Sequence, residues 1–379
     1  MTTQSDRAEL ADKVEALFRP FAMRGLTLAN RIVMAPMTRS KSPGGVPGPE
    51  VAAYYRRRAE GGVGLIVTEG TWVPHPSASN IANAPRFYGE DALAGWSHVV
   101  EEVHAAGGKI MPQLWHVGQI DRGSATTVSG RRVGPSGMIG AMGRAVVAQE
   151  APSTIAELEE VAEAYVVAAE SAHRMGFDGV ELHAAHGYFF DQFFWHVTNL
   201  RDDAYGGEIT ARTRLAADVV RNIRARTSPD FPIVLRMSQW KQQDYAAKVA
   251  DTPQALEAWL EPLVAAGVDM FHCSQRRFWE GEFGTDLNLA GWVKKLSGKP
   301  TITVGSVTLK QDHISSHHGV ASETEHNLLQ LLTLLERGDF DLVAVGRALI
   351  VDPYWPVKVR AGAEDELLPY SPSALGKLE

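Results

Sequence analysis

Residues 154–188 read TIAELEEVAEAYVVAAESAHRMGFDGVELHAAHGY, and this stretch contains the unit from which the fold is assembled. Its first part, 154–175, reads as a helix opened by a capping box, Thr154 with Glu157 three residues on. Its second part, 179–183, is a short apolar run of the kind buried on both faces of a parallel sheet. The run ends in His183-Ala184-Ala185-His186-Gly187-Tyr188, a concentration of side chains that can give and take protons.

The same alternation extends in both directions. Short apolar runs occur at 31–37, 64–69, 109–115, 179–183, 232–237, 268–273, 300–305 and 340–346. Helical spacing fills the gaps at 50–60, 92–106, 154–175, 209–226, 252–266, 289–296 and 322–336. Thr252 caps one of these, with Pro253 at the first helical position. Ser322 and Glu325 form a second capping box ahead of the stripe Leu328, Leu331, Leu332 and Leu335. Eight strands alternating with helices predict an α/β fold, a single (β/α)8 TIM barrel rather than an open sheet.

Two long excursions interrupt it. One, 117–152, follows the third strand. The other, 311–321, follows the seventh and carries His313, His317 and His318, which read as a solvated loop. At 379 residues the chain has room for two or three domains. No linker separates a second one, so 1–379 is expected to be one domain, with 1–17 an exposed helical extension.

Composition narrows the function. Hydrophobic residues are 45% and charged residues 22%, so most of the chain can fold around a core. The net charge of −8 argues against a nucleic-acid partner, which needs a basic face. The single cysteine, Cys273, excludes an internal disulfide and cysteine-rich metal sites. Residues 1–10 lack a signal-type apolar core, and no apolar run approaches the ~20 residues of a membrane span. A cytoplasmic protein is expected. Glycine-rich nucleotide motifs are missing; Gly61-Gly62-Val63-Gly64 precedes a strand, the wrong context.

In a barrel, chemistry gathers where the strands end. Those ends carry Ala35-Pro36-Met37-Thr38-Arg39, Thr68-Glu69-Gly70, Gln113-Leu114-Trp115-His116, the His183–Tyr188 string, Arg236, Gly305-Ser306 and Gly346-Arg347. The last two pairs either close tight turns or cradle a phosphate, with Arg347 as a bidentate grip. His183 and His186 are core histidines, metal ligands or a pair of N–H donors for a carbonyl oxygen. The metal reading is weak, because the nearest carboxylate, Glu181, is expected on the other strand face. Tyr188 can donate a phenolic proton.

These strings, with Asp191-Gln192-Phe193 and Tyr205-Gly206-Gly207, resemble the old yellow enzyme family of flavin-dependent ene-reductases, in order from about residue 17 to 356. The resemblance implies a barrel that binds FMN non-covalently and takes NADPH or NADH as reductant. It implies that Ala35, Pro36, Met37, Thr38, Gly70, Gln113 and Arg236 hold the flavin ring, and that Gly305, Ser306, Gly346 and Arg347 hold its phosphate. His183 and His186 would then bind the carbonyl oxygen of an enone, or a nitro group. Flavin N5 would give hydride to the β-carbon and Tyr188 a proton to the α-carbon. Trp115, Phe189, Trp240 and Phe278 are expected to line the substrate pocket, with no metal, no membrane and a monomer or homodimer.

Departures from the family pattern fall on the substrate side. They are Phe189-Phe190, residues 238–248, the loop 274–284, and a tail expected to bring no aromatic residue to the pocket. The rival readings are an FMN barrel oxidising 2-hydroxy acids, a flavin-binding protein without turnover, and a histidine-metal hydrolase.

Overall fold

The computed structural model describes residues 4–79, 81–121, 131–312, 315 and 319–379. A hairpin of β1 (Phe21–Met23) and β2 (Leu26–Leu28) comes first. The strands β3 (Ile32–Met34), β4 (Leu65–Trp72) and β5 (Ile110–Trp115) follow. A second hairpin, β6 (Met138–Ile139) with β7 (Val147–Ala148), lies in the first excursion. Then come β8 (Val180–His186), β9 (Ile233–Lys241), β10 (Met270–Ser274), β11 (Thr301–Val304) and β12 (Leu342–Val345). The eight strands other than the two hairpins pair in parallel and close into a barrel, β12 meeting β3. Each overlaps one of the eight predicted runs.

Side chains alternate along these strands as a period of two requires. Val33, Leu65, Val67, Met111 and Ala344 face inward and pack with Leu26 and Leu28 of the first hairpin, which plugs the N-terminal end. Ile32, Met34, Ile66, Ile110 and Val343 face outward against the helices. Each such buried aliphatic contributes about 1.5–3 kcal/mol.

That parity corrects one expectation. Glu181 and His183 are two residues apart, so they share the inward face of β8, while Val180, Leu182 and Ala184 join the outer core.

The predicted helices at 50–60, 92–106, 154–175, 252–266 and 289–296 are present as Pro49–Glu60, Glu90–Ala105, Ile155–Met175, Pro253–Ala266 and Leu289–Ser297. Thr154 and Glu157 form the capping box in both directions. Residues 209–226 divide into Ile209–Arg212 and Arg214–Arg226, because the Thr213 hydroxyl donates back to the carbonyls of Ile209 and Thr210.

Two further expectations change. The helix predicted from 322 starts at Leu328. Ser322 instead exchanges both backbone hydrogen bonds with Tyr370, each 2.9 Å, and the Glu325 N–H donates to Thr308, so no capping box forms. The N-terminal extension is helical over Gln4–Lys13, yet Leu10, Val14, Ala16 and Leu17 are buried in the outer core rather than exposed. His313, His317 and His318 lie outside the described residues. Cys273 faces the outer core, where burial pushes its thiol upward and keeps it protonated. No helix among the described residues is long and apolar enough to cross a membrane.

Candidate active site

A cavity of about 430 Å³ opens where the barrel strands end. The ends of β3, β4 and β5 supply Ala35, Pro36, Met37, Thr38, Gly70, Gln113 and Trp115. Strands β8 and β9 and the turn after β8 supply His183, His186, Tyr188, Arg236 and Trp240. Gly305, Ser306, Gly346 and Arg347 close the remaining side. Thus the residues predicted to hold a flavin and to act on substrate share one cavity. Two predicted pocket residues do not. Phe189 opens a short helix that turns its ring outward, against His116 and Tyr165. Phe278 is buried in the outer core; it touches the site through its backbone N–H, which donates to Gly305 (3.1 Å).

Further lining residues come from segments without periodicity, two of them the departures at 238–248 and 274–284. Met142 comes from the turn between β6 and β7, where Gly143 N–H donates to Gln242. Gln242, Tyr245, Gln275 and Arg276 come from loops. Tyr370, nearly fully buried, lines the cavity from the tail and so overturns the expectation of a tail without pocket aromatics.

The donor end is built on a strained turn. His186 has φ 64° and Gly187 φ 80°, both left-handed. The φ at 187 favours glycine, and a Cβ there would also sit 2.2 Å from Gln243 Oε1 and push that side chain aside. Asp191 holds the turn by accepting the Gly187 N–H (2.7 Å). The rings of His183 and His186 are 5.1 Å apart, and Tyr188 meets His183 at 4.7 Å and Trp115 at 5.2 Å. The Ala185 N–H lies 3.4 Å from His183 Nδ1, tying that side of the ring to the strand. Burial, reinforced by Arg236 and His272, holds the His183 ring neutral, far below the usual histidine range. His186 Nε2 lies 2.7 Å from the Ser274 hydroxyl, and its ring lies flat on Trp240 at 4.4 Å.

Across the barrel, Glu69 Oε2 accepts the N–H groups of Arg39 (2.7 Å) and Ser40 (3.0 Å), shaping the loop that carries Thr38. At the opposite side, a Cβ on Gly305 would lie 2.8 Å from the Gln275 carbonyl. Arg347 donates to the carbonyls of Asp312 (2.9 Å) and Gln311 (2.5 Å). Burial brings its guanidinium down to about 10, which leaves it cationic at neutral pH.

Uncharged donors, a phenol, a buried arginine and glycine turns thus meet at one mouth of a parallel barrel, a place for a small-molecule or cofactor site. The model of the NADH:flavin oxidoreductase / NADH oxidase family matches residues 16–366. The NADH oxidase of Thermoanaerobacter brockii is 32% identical over 368 residues, 93% of this chain and 52% of that protein. The chain therefore spans about half the length of that relative. The 12-oxophytodienoate reductase 2 of Arabidopsis thaliana is 29% identical, covering 92% of this chain and 89% of its own. Among solved structures, morphinone reductase in complex with tetrahydroNAD superimposes with a TM-score of 0.78 at 28% identity, over 95% and 93% of the two chains. The old yellow enzyme homologue from Zymomonas mobilis gives 0.77 at 25%, over 95% and 96%. The chain belongs to the NADH:flavin oxidoreductase / NADH oxidase family, the old yellow enzyme family of FMN-dependent barrels.

The residues present fit such a cofactor. Arg236 lines the cavity, is 6% exposed, and its Nε is buried without a protein partner. That orphan donor suits an acceptor on a bound ring. Gly305, Gly346 and the cationic Arg347 line the same side of the cavity, a place for an anionic group.

Proposed function

We propose that this chain is an FMN-dependent ene-reductase, drawing electrons from NADPH or NADH and reducing activated C=C bonds of α,β-unsaturated carbonyl or nitro compounds. The observation that carries the reading is the grouping of the His183, His186 and Tyr188 rings, 5.1 and 4.7 Å apart, inside the cavity that Arg236 and Gly305 flank.

FMN, held non-covalently, supplies the two-electron exchange with the nicotinamide. Thr38, Gln113 and Arg236 hold the ring, and Ser306 and Arg347 with the glycine turns hold the phosphate. His183 and His186 bind the substrate oxygen. Their hydrogen bonds draw electron density from the β-carbon and stabilise the negative charge that grows on oxygen during reduction. The Tyr188 hydroxyl holds the proton for the α-carbon. Trp115 and Trp240 flank this end and exclude water. The protein acts as one domain on small molecules, as a monomer or homodimer.

Anaerobic stopped-flow separates the two halves of the cycle. The purified protein should be yellow, be reduced by a nicotinamide nucleotide, and be reoxidised by cyclohexenone. Tyr188→Phe should leave reduction intact and slow reoxidation by ~10²–10⁴-fold. Strongly activated nitroalkenes should lose less, because the nitronate is stable and takes its proton later from water. Equal loss in both halves, or peroxide formation from a 2-hydroxy acid without enone turnover, would remove this reading.

A further inference from the structure

Beneath the cavity, the barrel interior holds a buried polar cluster on three adjacent strands. Gln113 of β5 is the direct cross-strand partner of Glu181 of β8. One layer up, His183, Arg236 and His272 are register partners across β8, β9 and β10. Glu181 sits at the centre with its side chain completely buried. Its Oε1 accepts from Gln113 Nε2 (2.8 Å) and its Oε2 from His272 Nδ1 (2.6 Å).

These contacts fix polarity as well as position. Glu181 is held ionised: despite its burial, His272, Arg236 and Gln113 keep its carboxyl below the usual range. The carboxylate oxygen only accepts, so His272 Nδ1 carries the proton given to Glu181. A carboxylate only accepts, so Gln113 must turn its NH₂ toward Glu181. Its Oε1 is left on the side of Gly70, in the cavity wall. Arg236, with its Nε orphaned, is the cation nearest this arrangement.

We infer that Glu181 is a positioning residue for the flavin: it forces Gln113 to present an acceptor, and it offsets the charge of Arg236, so that the cavity floor offers one acceptor beside one cationic donor. That pair matches the N3–H and the adjoining C2 carbonyl of a flavin pyrimidine ring. The offset charge keeps the bound flavin from being reduced too readily. The inference rests on the FMN reading above.

Glu181→Gln tests it in the holoenzyme. The new amide keeps its oxygen for His272 and must donate to Gln113, which then turns its own NH₂ toward the cavity. FMN binding should weaken by tenfold or more, measured by ultrafiltration of reconstituted protein. The midpoint potential of bound FMN, measured by dye-coupled equilibration, should become more positive, because Arg236 loses its counter-charge. A merely structural glutamate would move the melting temperature without moving the potential. Glu181→Asp carries the test if the first variant does not fold. It keeps the charge but shortens the reach to Gln113, so affinity should fall while the potential stays near wild type. A folded Glu181→Gln protein with unchanged affinity and potential overturns the inference, as does Glu181→Asp with unchanged affinity. Wild-type protein that takes up no FMN would instead overturn the flavin reading itself.

Discussion

Lys241 Nζ and Asp191 Oδ1 lie 2.7 Å apart, with neither side chain exposed, and join the end of β9 to the helix that follows Tyr188. The other Asp191 oxygen accepts the Gly187 N–H, so the pair anchors the left-handed turn between the two histidines and the tyrosine. Burial raises the Asp191 carboxyl and lowers the Lys241 ammonium. Neither charge is stable there without the other.

Removing one partner should therefore cost more than removing both. Asp191→Asn or Lys241→Met alone should destabilise by roughly 3–5 kcal/mol, read from urea unfolding. The double variant Asp191→Leu with Lys241→Met should recover much of that loss. It should still reoxidise slowly with enones, because nothing holds Gly187. Additive single effects would contradict the pairing.

Arg347 enters the cavity from the end of β12 and stays cationic despite its burial. A charge-assisted contact to phosphate contributes about 1.5–3 kcal/mol. Arg347→Ala should accordingly weaken FMN by about 10- to 100-fold. Riboflavin, which has no phosphate, reports whether the contact is the one named. The wild type should prefer FMN, and the variant should lose most of that preference. An unchanged FMN-to-riboflavin ratio would assign the phosphate elsewhere.

Burial holds the His183 ring neutral, 5.1 Å from the ring of His186. A phenolate should bind at this pair and give a long-wavelength charge-transfer band with oxidised flavin. Replacing both histidines by Ala should abolish the band and slow enone reduction, with less effect on reduction by nucleotide. A persisting band would rule out the oxygen-binding role.

Glu69 offers a pH signature. Its burial lifts the carboxyl from the ordinary 4.5 to about 7, against the two N–H groups it accepts. The folded state thus holds this proton more tightly than the unfolded chain. Its contribution is full below about pH 4.5 and is lost as pH rises through 7. Glu69→Gln keeps an acceptor and cannot ionise. Its melting temperature relative to wild type should climb between pH 5 and 8, by an amount equivalent to at most roughly 3 kcal/mol. Parallel profiles of the two proteins would refute this.

The barrel was legible in the chain because strands buried on both faces must be short and apolar, and the helices between them must carry stripes. The positions of Thr38, Gln113, His183 and Arg347 followed, since the end of a strand marks the mouth of the barrel. Local pattern misled where a distant segment competed for the same backbone. Ser322 looked like a helix cap until Tyr370, 48 residues on, took its hydrogen bonds. Phe189 sat beside Tyr188 in sequence, but the helix it opens sends its ring to the outer core. Met142, Tyr245 and Tyr370 reach the cavity from loops and the tail, where no periodicity signals direction. The Gln113–Glu181–His272 cluster depends on register between strands far apart in the chain. Alternation within each strand chose the face, but only closure of the barrel decided which inward groups met and how their protons were shared.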